Sequence, residues 1–155
     1  MFSTAAFAKK LDLVNIGAAG TFVSRRRITP AEVARALPYQ AQLAIRPASE
    51  ILRLVDGGPP KVAGALPYVS VLVAKPKLKP RLPLDLPERT WTYRIVERRG
   101  PFVLWLRRVD GRPGLDMSAV EKLFGTRATT RGWPTFERIA KAVRSLGSPA
   151  TRARR

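Results

Sequence analysis

The 155-residue sequence contains no cysteine and no histidine. Without cysteine, the chain can form neither disulfides nor thiolate metal sites. Without histidine, it lacks the side chain that most often serves as general base and metal ligand near neutral pH, so Ser-His-Asp and Cys-His catalysis are excluded. A metal site would have to be built from carboxylates alone, which favours Mg²⁺ or Ca²⁺.

Acidic residues are also few. The chain has 11 Asp and Glu, which are scattered without an Asp-x-Asp or Glu-x-x-Glu pair. Asp12 and Asp56 are isolated, whereas Asp110 and Asp116 flank a Gly-Arg-Pro-Gly stretch that is typical of a turn. Because the sequence shows no nucleophile–base pair, it favours a protein that is not an enzyme, and we expect no cofactor.

Long apolar runs are missing as well. The longest, such as residues 69–74, are far too short to span a bilayer, and residues 1–10 lack the charged start and apolar core of a signal peptide. We therefore expect a cytoplasmic protein without a membrane partner. The hydrophobic content of 45% is sufficient for a globular interior, and the length suits one domain or two small units that share a core.

Positive charge, in contrast, is abundant. There are 29 Lys and Arg against 11 acidic residues, a net charge of +18. A field of this sign attracts polyanions, chiefly nucleic acid or an anionic membrane surface. Most of the basic residues are arginines, and Arg, Ala, Pro and Gly all have GC-rich codons, so genome composition offers an alternative origin for the arginines. It does not explain the scarcity of acids.

The basic residues occur in clusters, which favours a nucleic-acid partner. The clusters are Arg25-Arg26-Arg27, the Pro-interrupted segment from Lys75 to Arg81 with Lys75, Lys77 and Lys79, Arg98-Arg99, Arg107-Arg108, the turn from Arg127 to Gly132 and the C-terminal tail. Each run alone is usually a solvated face, so the hypothesis depends on their number. Binding of this kind is driven by phosphate contacts and has weak sequence specificity. Trp91, Tyr93 and Trp105 would stack on bases if exposed, and a place in the core is the alternative.

Local signals predict alternating helices and strands. Thr29-Pro-Ala-Glu32 is a helix start with a capping box, and that helix ends before Pro38. Residues 41–46 are predicted as a strand, residues 48–55 as a helix and residues 66–74 as a central strand. Residues 91–96 and 102–106 form a predicted hairpin.

This order predicts an α+β fold of the plait type in two halves. The first half comprises residues 1–58, and the second comprises residues 59–146 with the closing helices. Residues 59–64 are the predicted linker. Residues 147–155 are predicted to be a basic, disordered tail.

The stretch from residue 126 to 132 is predicted to be a turn between two helices. Pro134 suits the first turn of the second helix, whose free backbone N–H groups would hold an anion together with Thr129, Thr130 and Arg131. Arg127 lies in the same turn. In the alternative interpretation the threonines cap the helix, Trp133 fills the space between helices, and the two arginines point into water.

Residues 121–135 resemble the C-terminal signature of the family called domain of unknown function 1697. The matching positions are Glu121, Lys122, Gly125, Thr126, Ala128, Thr129, Thr130, Arg131, Trp133 and Thr135. The chain departs from the pattern at Arg127, where the family has Pro, and at Gly132 and Pro134, where the family has Asn. The resemblance extends more weakly over most of the chain, to about residue 146.

The resemblance implies an α+β fold of two ferredoxin-like (α/β plait) units, here without the family's first strand and Gly-rich loop. It implies no established activity. Three functional hypotheses therefore stay open: a nucleic-acid- or phosphate-binding module, a small-molecule-binding protein or enzyme with an anion site at Thr129-Thr130-Arg131, and a protein-interaction module. In the last, an open sheet edge pairs with another chain, for example in a homodimer.

Overall fold

The computed structural model describes residues 1–17, 20–110 and 117–147. Its helices are α1 (Thr4–Leu11), α2 (Pro30–Ala36), α3 (Ala48–Asp56), α4 (Met117–Phe124) and α5 (Trp133–Leu146). Its strands are β1 (Leu13–Asn15), β2 (Phe22–Ser24), β3 (Ala65–Leu72), β4 (Leu84–Leu86), β5 (Tyr93–Arg99), β6 (Phe102–Arg108) and β7 (Ala128–Gly132). The predicted tail lies, from residue 148 on, outside the described residues.

The elements form two compact units. One contains residues 1–53 together with the chain from Pro134 on, and the other contains residues 54–133. The predicted halves, residues 1–58 and 59–146, stay a prediction about domains, because compactness alone does not show that either part folds by itself.

In the unit with the N-terminal residues, the elements before residue 53 are short. Thr29 caps α2, because its Oγ1 accepts from the Glu32 N–H (3.2 Å) while Glu32 Oε2 accepts from the Thr29 N–H (2.8 Å). The predicted capping box is confirmed. Strands β1 and β2 pair in antiparallel fashion, and Phe7, Leu11 and Val33 form a small apolar core.

The unit of residues 54–133 is organised around an antiparallel sheet with the strand order β4-β5-β6-β3-β7. The predicted central strand and hairpin are confirmed as β3, β5 and β6. Helix α4 packs on one face of this sheet, where Val120 and Phe124 meet Leu72, Val103 and Trp105 in a buried core. The fold is thus α+β, with two antiparallel sheets among the described residues, and the finer prediction of two ferredoxin-like units stays a prediction.

Two local predictions are wrong. Residues 41–46 form no strand; they lie between Pro38 and Pro47, and Leu43 alone of this stretch packs on the small core. The predicted turn of residues 126–132 is mostly strand β7, which pairs with β3 from Tyr68↔Gly132 to Leu72↔Ala128. Threonine favours strands because it is β-branched, and β3 offers an edge with which this stretch can pair.

Candidate polyanion-binding surface

The lysine segment, residues 75–79, follows β3 and lies against the end of α4. Pro76 within it and Pro80 directly after it exclude a helix. The backbone of the segment instead bonds to carbonyl groups that α4 leaves without intrahelical partners. The N–H groups of Lys77 and Leu78 both donate to the Phe124 carbonyl oxygen, at 2.9 and 3.2 Å. The Val73 N–H donates to the Arg127 carbonyl oxygen at 2.9 Å. The lysine segment and residues 124–127 are therefore held side by side.

Gly125 makes this close approach possible. It has a φ of +67°, which is the left-handed conformation that commonly ends helices. A Cβ atom at this position would lie 3.0 Å from Lys77 Cβ and 3.4 Å from Leu78 Cγ. Glycine is thus required both by the backbone and by the neighbouring segment.

We expect Gly125→Ala to destabilise the protein more than Gly64→Ala. Gly64 also has a positive φ (+75°), but a Cβ atom there would meet nothing within 4 Å. Gly64→Ala therefore measures only the cost of placing alanine in a left-handed backbone conformation, about 1–2 kcal/mol. Gly125→Ala carries the same cost and also the steric contact of the new Cβ atom with Lys77. Urea unfolding followed by tryptophan fluorescence measures both variants, and equal losses of stability would contradict the assigned contact.

The structure brings together four of the predicted binding residues. Lys75, Lys77, Lys79 and Arg127 are all exposed, and we call them the basic surface. No ion pair within the described parts of the chain involves any of them. Two neighbouring apolar side chains are exposed as well: Leu78 is 53% exposed and Val73 is 37% exposed. The basic surface lies at the C-terminal end of α4, where the negative end of the helix dipole attracts cations. Part of the role of these four residues is therefore structural.

Thr129, Thr130 and Arg131 do not converge on one point. They occupy successive positions of β7, so Thr130 faces the side of the sheet opposite to the other two. Thr130 Oγ1 shares a 2.6 Å hydrogen bond with Ser70 Oγ. Arg131 Nη1 donates to Thr129 Oγ1 (3.2 Å) and to the Thr130 carbonyl oxygen (2.7 Å). Strand β7 therefore does not place these three side chains around one anion at a helix N-terminus, as the sequence predicted.

The Arg25–Arg27 run, which belongs to the other unit, is largely engaged with acids. Arg25 Nε lies 3.1 Å from Asp12 Oδ1, and Arg26 Nη1 lies 3.0 Å from Glu32 Oε1. The hydrogen bond from the Thr29 backbone N–H, and to a lesser extent the one from the Arg26 side chain, hold the pKa of the Glu32 carboxyl below its usual value. Arg27 is exposed. Two of the three predicted binding arginines thus have internal anionic partners.

The predicted base-stacking tryptophans are buried. Trp105 is 1% exposed and Trp91 is 9% exposed. The guanidinium carbons of Arg94 and Arg108 lie 4.3 and 4.6 Å from the centre of the Trp91 ring, an arrangement that favours the cations. Both tryptophans therefore follow the alternative interpretation, a place in the core.

Arg94 in turn forms a bidentate ion pair with Asp85 on the neighbouring strand. Its Nε and Nη2 donate to the two carboxylate oxygens at 2.6 and 3.0 Å. This hydrogen bonding lowers the pKa of Asp85 and raises the pKa of Arg94. The cation of Arg94 is consequently matched by an internal anion.

Two residues of β3 that sequence reasoning missed are Tyr68 and Ser70. Tyr68 stacks on Trp105 with ring centres 4.7 Å apart, and the fully buried Ser70 accepts from Trp105 Nε1 at 2.9 Å. The signal was present in the sequence, because a serine inside the apolar run of residues 69–74 requires a polar partner when that run is buried.

Within the described ranges, no His, Cys, Asp or Glu side chains form a group of three that would hold a metal ion. No helix there is both long and apolar enough to cross a membrane. No protein-family model matches this chain, and no curated protein or solved structure does so either. The resemblance to the domain of unknown function 1697 family stays a prediction.

Proposed function

We propose that this protein binds the phosphate backbone of nucleic acid with little sequence preference. The observation that carries the proposal is the basic surface of Lys75, Lys77, Lys79 and Arg127, which no described acidic side chain neutralises. Lysine and arginine contacts to phosphate release condensed counterions, and this release supplies most of non-specific affinity.

The contrast with other cations of the chain supports this choice of surface. Arg26, Arg46 and Arg94 each lie within 3.0 Å of a carboxylate oxygen, and Arg99 donates to Glu97 Oε1 at 2.6 Å and to the Gly58 carbonyl oxygen at 2.9 Å. A cation that already has an anionic partner gains less from a phosphate. The basic surface therefore concentrates charge that is available to a ligand.

The test is a fluorescence-anisotropy titration of labelled single- and double-stranded oligonucleotides over a range of salt concentrations. If several phosphates are contacted, log Kd rises with log salt by about 0.9 per contact for duplex DNA and about 0.7 for single strands. Absence of binding at low salt would overturn the proposal, and the charge of +18 would then reflect composition alone.

The sheet-edge alternative receives less support. Strand β7 is the last strand of its sheet among the described elements, but side chains already occupy two of its backbone groups. Glu121 Oε1 accepts from the Ala128 N–H at 3.2 Å, and Arg131 donates to the Thr130 carbonyl oxygen. Groups satisfied in this way are not available to a strand from a second copy. Membership of the domain of unknown function 1697 family is a separate proposal that rests on residues 121–135.

A further inference from the structure

Near the start of β3, the sheet face on which α4 packs carries a group of aromatic rings. Tyr68 and Trp105 are direct neighbours in the β3–β6 pairing, and their rings are nearly parallel, at 14° and 4.7 Å between centres. Tyr93 meets the Trp105 ring edge-on at 5.9 Å. Trp105 is fully buried, whereas both tyrosines are only half-buried. The tyrosines are thus the members of this group that a ligand can reach.

Several hydrogen bonds hold the Tyr68 ring in place. Trp105 Nε1 donates to Ser70 Oγ at 2.9 Å, and Ser70 shares a hydrogen bond with Thr130. The Trp105 ring on which Tyr68 stacks is therefore itself anchored. At the other end of the side chain, Arg107 Nη2 donates to the Tyr68 hydroxyl oxygen at 3.2 Å. The orientation of Tyr68 is set before a ligand arrives, which reduces the ordering that binding requires.

The surroundings of Tyr68 combine apolar area with positive charge. Leu66 is 45% exposed and Val109 is 57% exposed. The guanidinium of Arg107 lies 5.6 Å from the centre of the Tyr68 ring. Unpaired bases bind to proteins by stacking on aromatic side chains beside cations that contact the backbone. In a duplex both faces of each internal base are already covered by its neighbours.

We propose that Tyr68 and Tyr93, together with Arg107, form a platform on which unpaired bases stack, so that the partner of this protein is single-stranded nucleic acid. This inference rests on the proposed function. The lysine segment contacts the end of α4, and α4 packs on the same face of the sheet as Tyr68. From Tyr68 to Leu72, β3 extends about 13 Å, and the basic surface begins three residues further on, at Lys75. In the proposed complex, a strand stacked on Tyr68 extends along β3, so that its phosphates reach the basic surface.

The decisive comparison uses two labelled oligonucleotides of equal length and charge, an oligo-dT and its fully abasic counterpart. A base stacked on an aromatic side chain raises affinity by about 5- to 150-fold. We therefore expect the unaltered protein to bind oligo-dT at least about 5-fold more tightly than the abasic strand. This measurement needs no variant and does not depend on how well any variant folds.

Variants then locate the effect. We expect Tyr68→Leu to lower the affinity for oligo-dT towards that of the abasic strand while leaving abasic binding unchanged, and Tyr68→Phe to retain the preference because the ring remains. Tyr39→Leu, which alters a 53% exposed tyrosine in the other unit, is the matched control and should change neither affinity.

Equal affinities of the unaltered protein for the two strands would overturn the platform while leaving phosphate binding intact. An oligo-dT preference that survives Tyr68→Leu in a folded variant would likewise overturn the assignment to Tyr68. Failure to bind either strand at low salt would overturn the proposed function, and the platform with it.

Discussion

Replacing Lys75, Lys77, Lys79 and Arg127 with glutamine should weaken binding to a single-stranded oligonucleotide by on the order of 10²–10³-fold near 0.1 M salt. Each lost phosphate contact removes about 0.7 from the slope of log Kd against log salt for a single strand. If all four side chains contact phosphates, the slope should fall by about 3. Anisotropy titrations of both proteins at several salt concentrations give both quantities.

The control is a second quadruple variant with the same change in net charge. Lys9, Arg53, Lys61 and Lys141 are also exposed and lie on other parts of the chain, so their replacement by glutamine removes three lysines and one arginine elsewhere. If binding depends on the basic surface, this control retains nearly all of the affinity. Equal losses in the two variants would mean that only the overall charge attracts nucleic acid, and the assignment to this surface would fail.

Short-range signals account for the parts of the fold that the sequence predicted correctly. Thr29 and Glu32 form a capping box within four consecutive residues, and the apolar run that became β3 contains the β-branched Val69 and Val71. The Gly100-Pro101 turn joins strands β5 and β6, and Gly100 takes a positive φ of +57°. In each case the determining residues lie close together in the chain.

The errors have the opposite origin. Nothing in residues 128–132 themselves distinguishes a strand from a turn rich in threonine and arginine; the strand forms because β3 offers a pairing edge that lies about 60 residues earlier in sequence. The predicted convergence of Thr129, Thr130 and Arg131 at a helix N-terminus is absent for the same reason, since a strand sends Thr130 and Arg131 to opposite faces.

The basic surface shows a mixed result. The sequence predicted Lys75, Lys77 and Lys79 as binding residues, and Arg127 as a member of a separate turn. Only the structure joins them, through the hydrogen bonds from residues 73, 77 and 78 to carbonyl groups of residues 124 and 127. Tyr68 was missed because its stacking partner, Trp105, is supplied by another strand.

The buried hydrogen-bond chain from Trp105 through Ser70 to Thr130 leads to the second large effect. Ser70 is 0% exposed, and its hydroxyl oxygen is the acceptor for the Trp105 indole N–H, a group that can only donate. Ser70→Ala leaves that N–H buried without an acceptor and deprives Thr130 of its partner. We expect a loss of about 2–3 kcal/mol in the free energy of unfolding.

Denaturant unfolding followed by tryptophan fluorescence is the appropriate measurement, because Trp91, Trp105 and Trp133 all belong to the unit of residues 54–133. Thr90→Ala, at an exposed turn position of the same unit, is the matched control, with an expected change within about 0.5 kcal/mol. Ser70→Ala with stability equal to that control would show that Trp105 finds another acceptor.

Thr130→Val tests the order of importance within the chain. Ser70 still accepts from Trp105 in that variant, so we expect a smaller loss of about 1 kcal/mol. The double variant should be about as stable as Ser70→Ala alone, because Thr130 has no hydrogen bond to Ser70 left to lose. Additive losses of stability in the double variant would contradict a coupled hydrogen-bond chain. Because Trp105 supports the Tyr68 ring, Ser70→Ala should also reduce the preference for oligo-dT over the abasic strand.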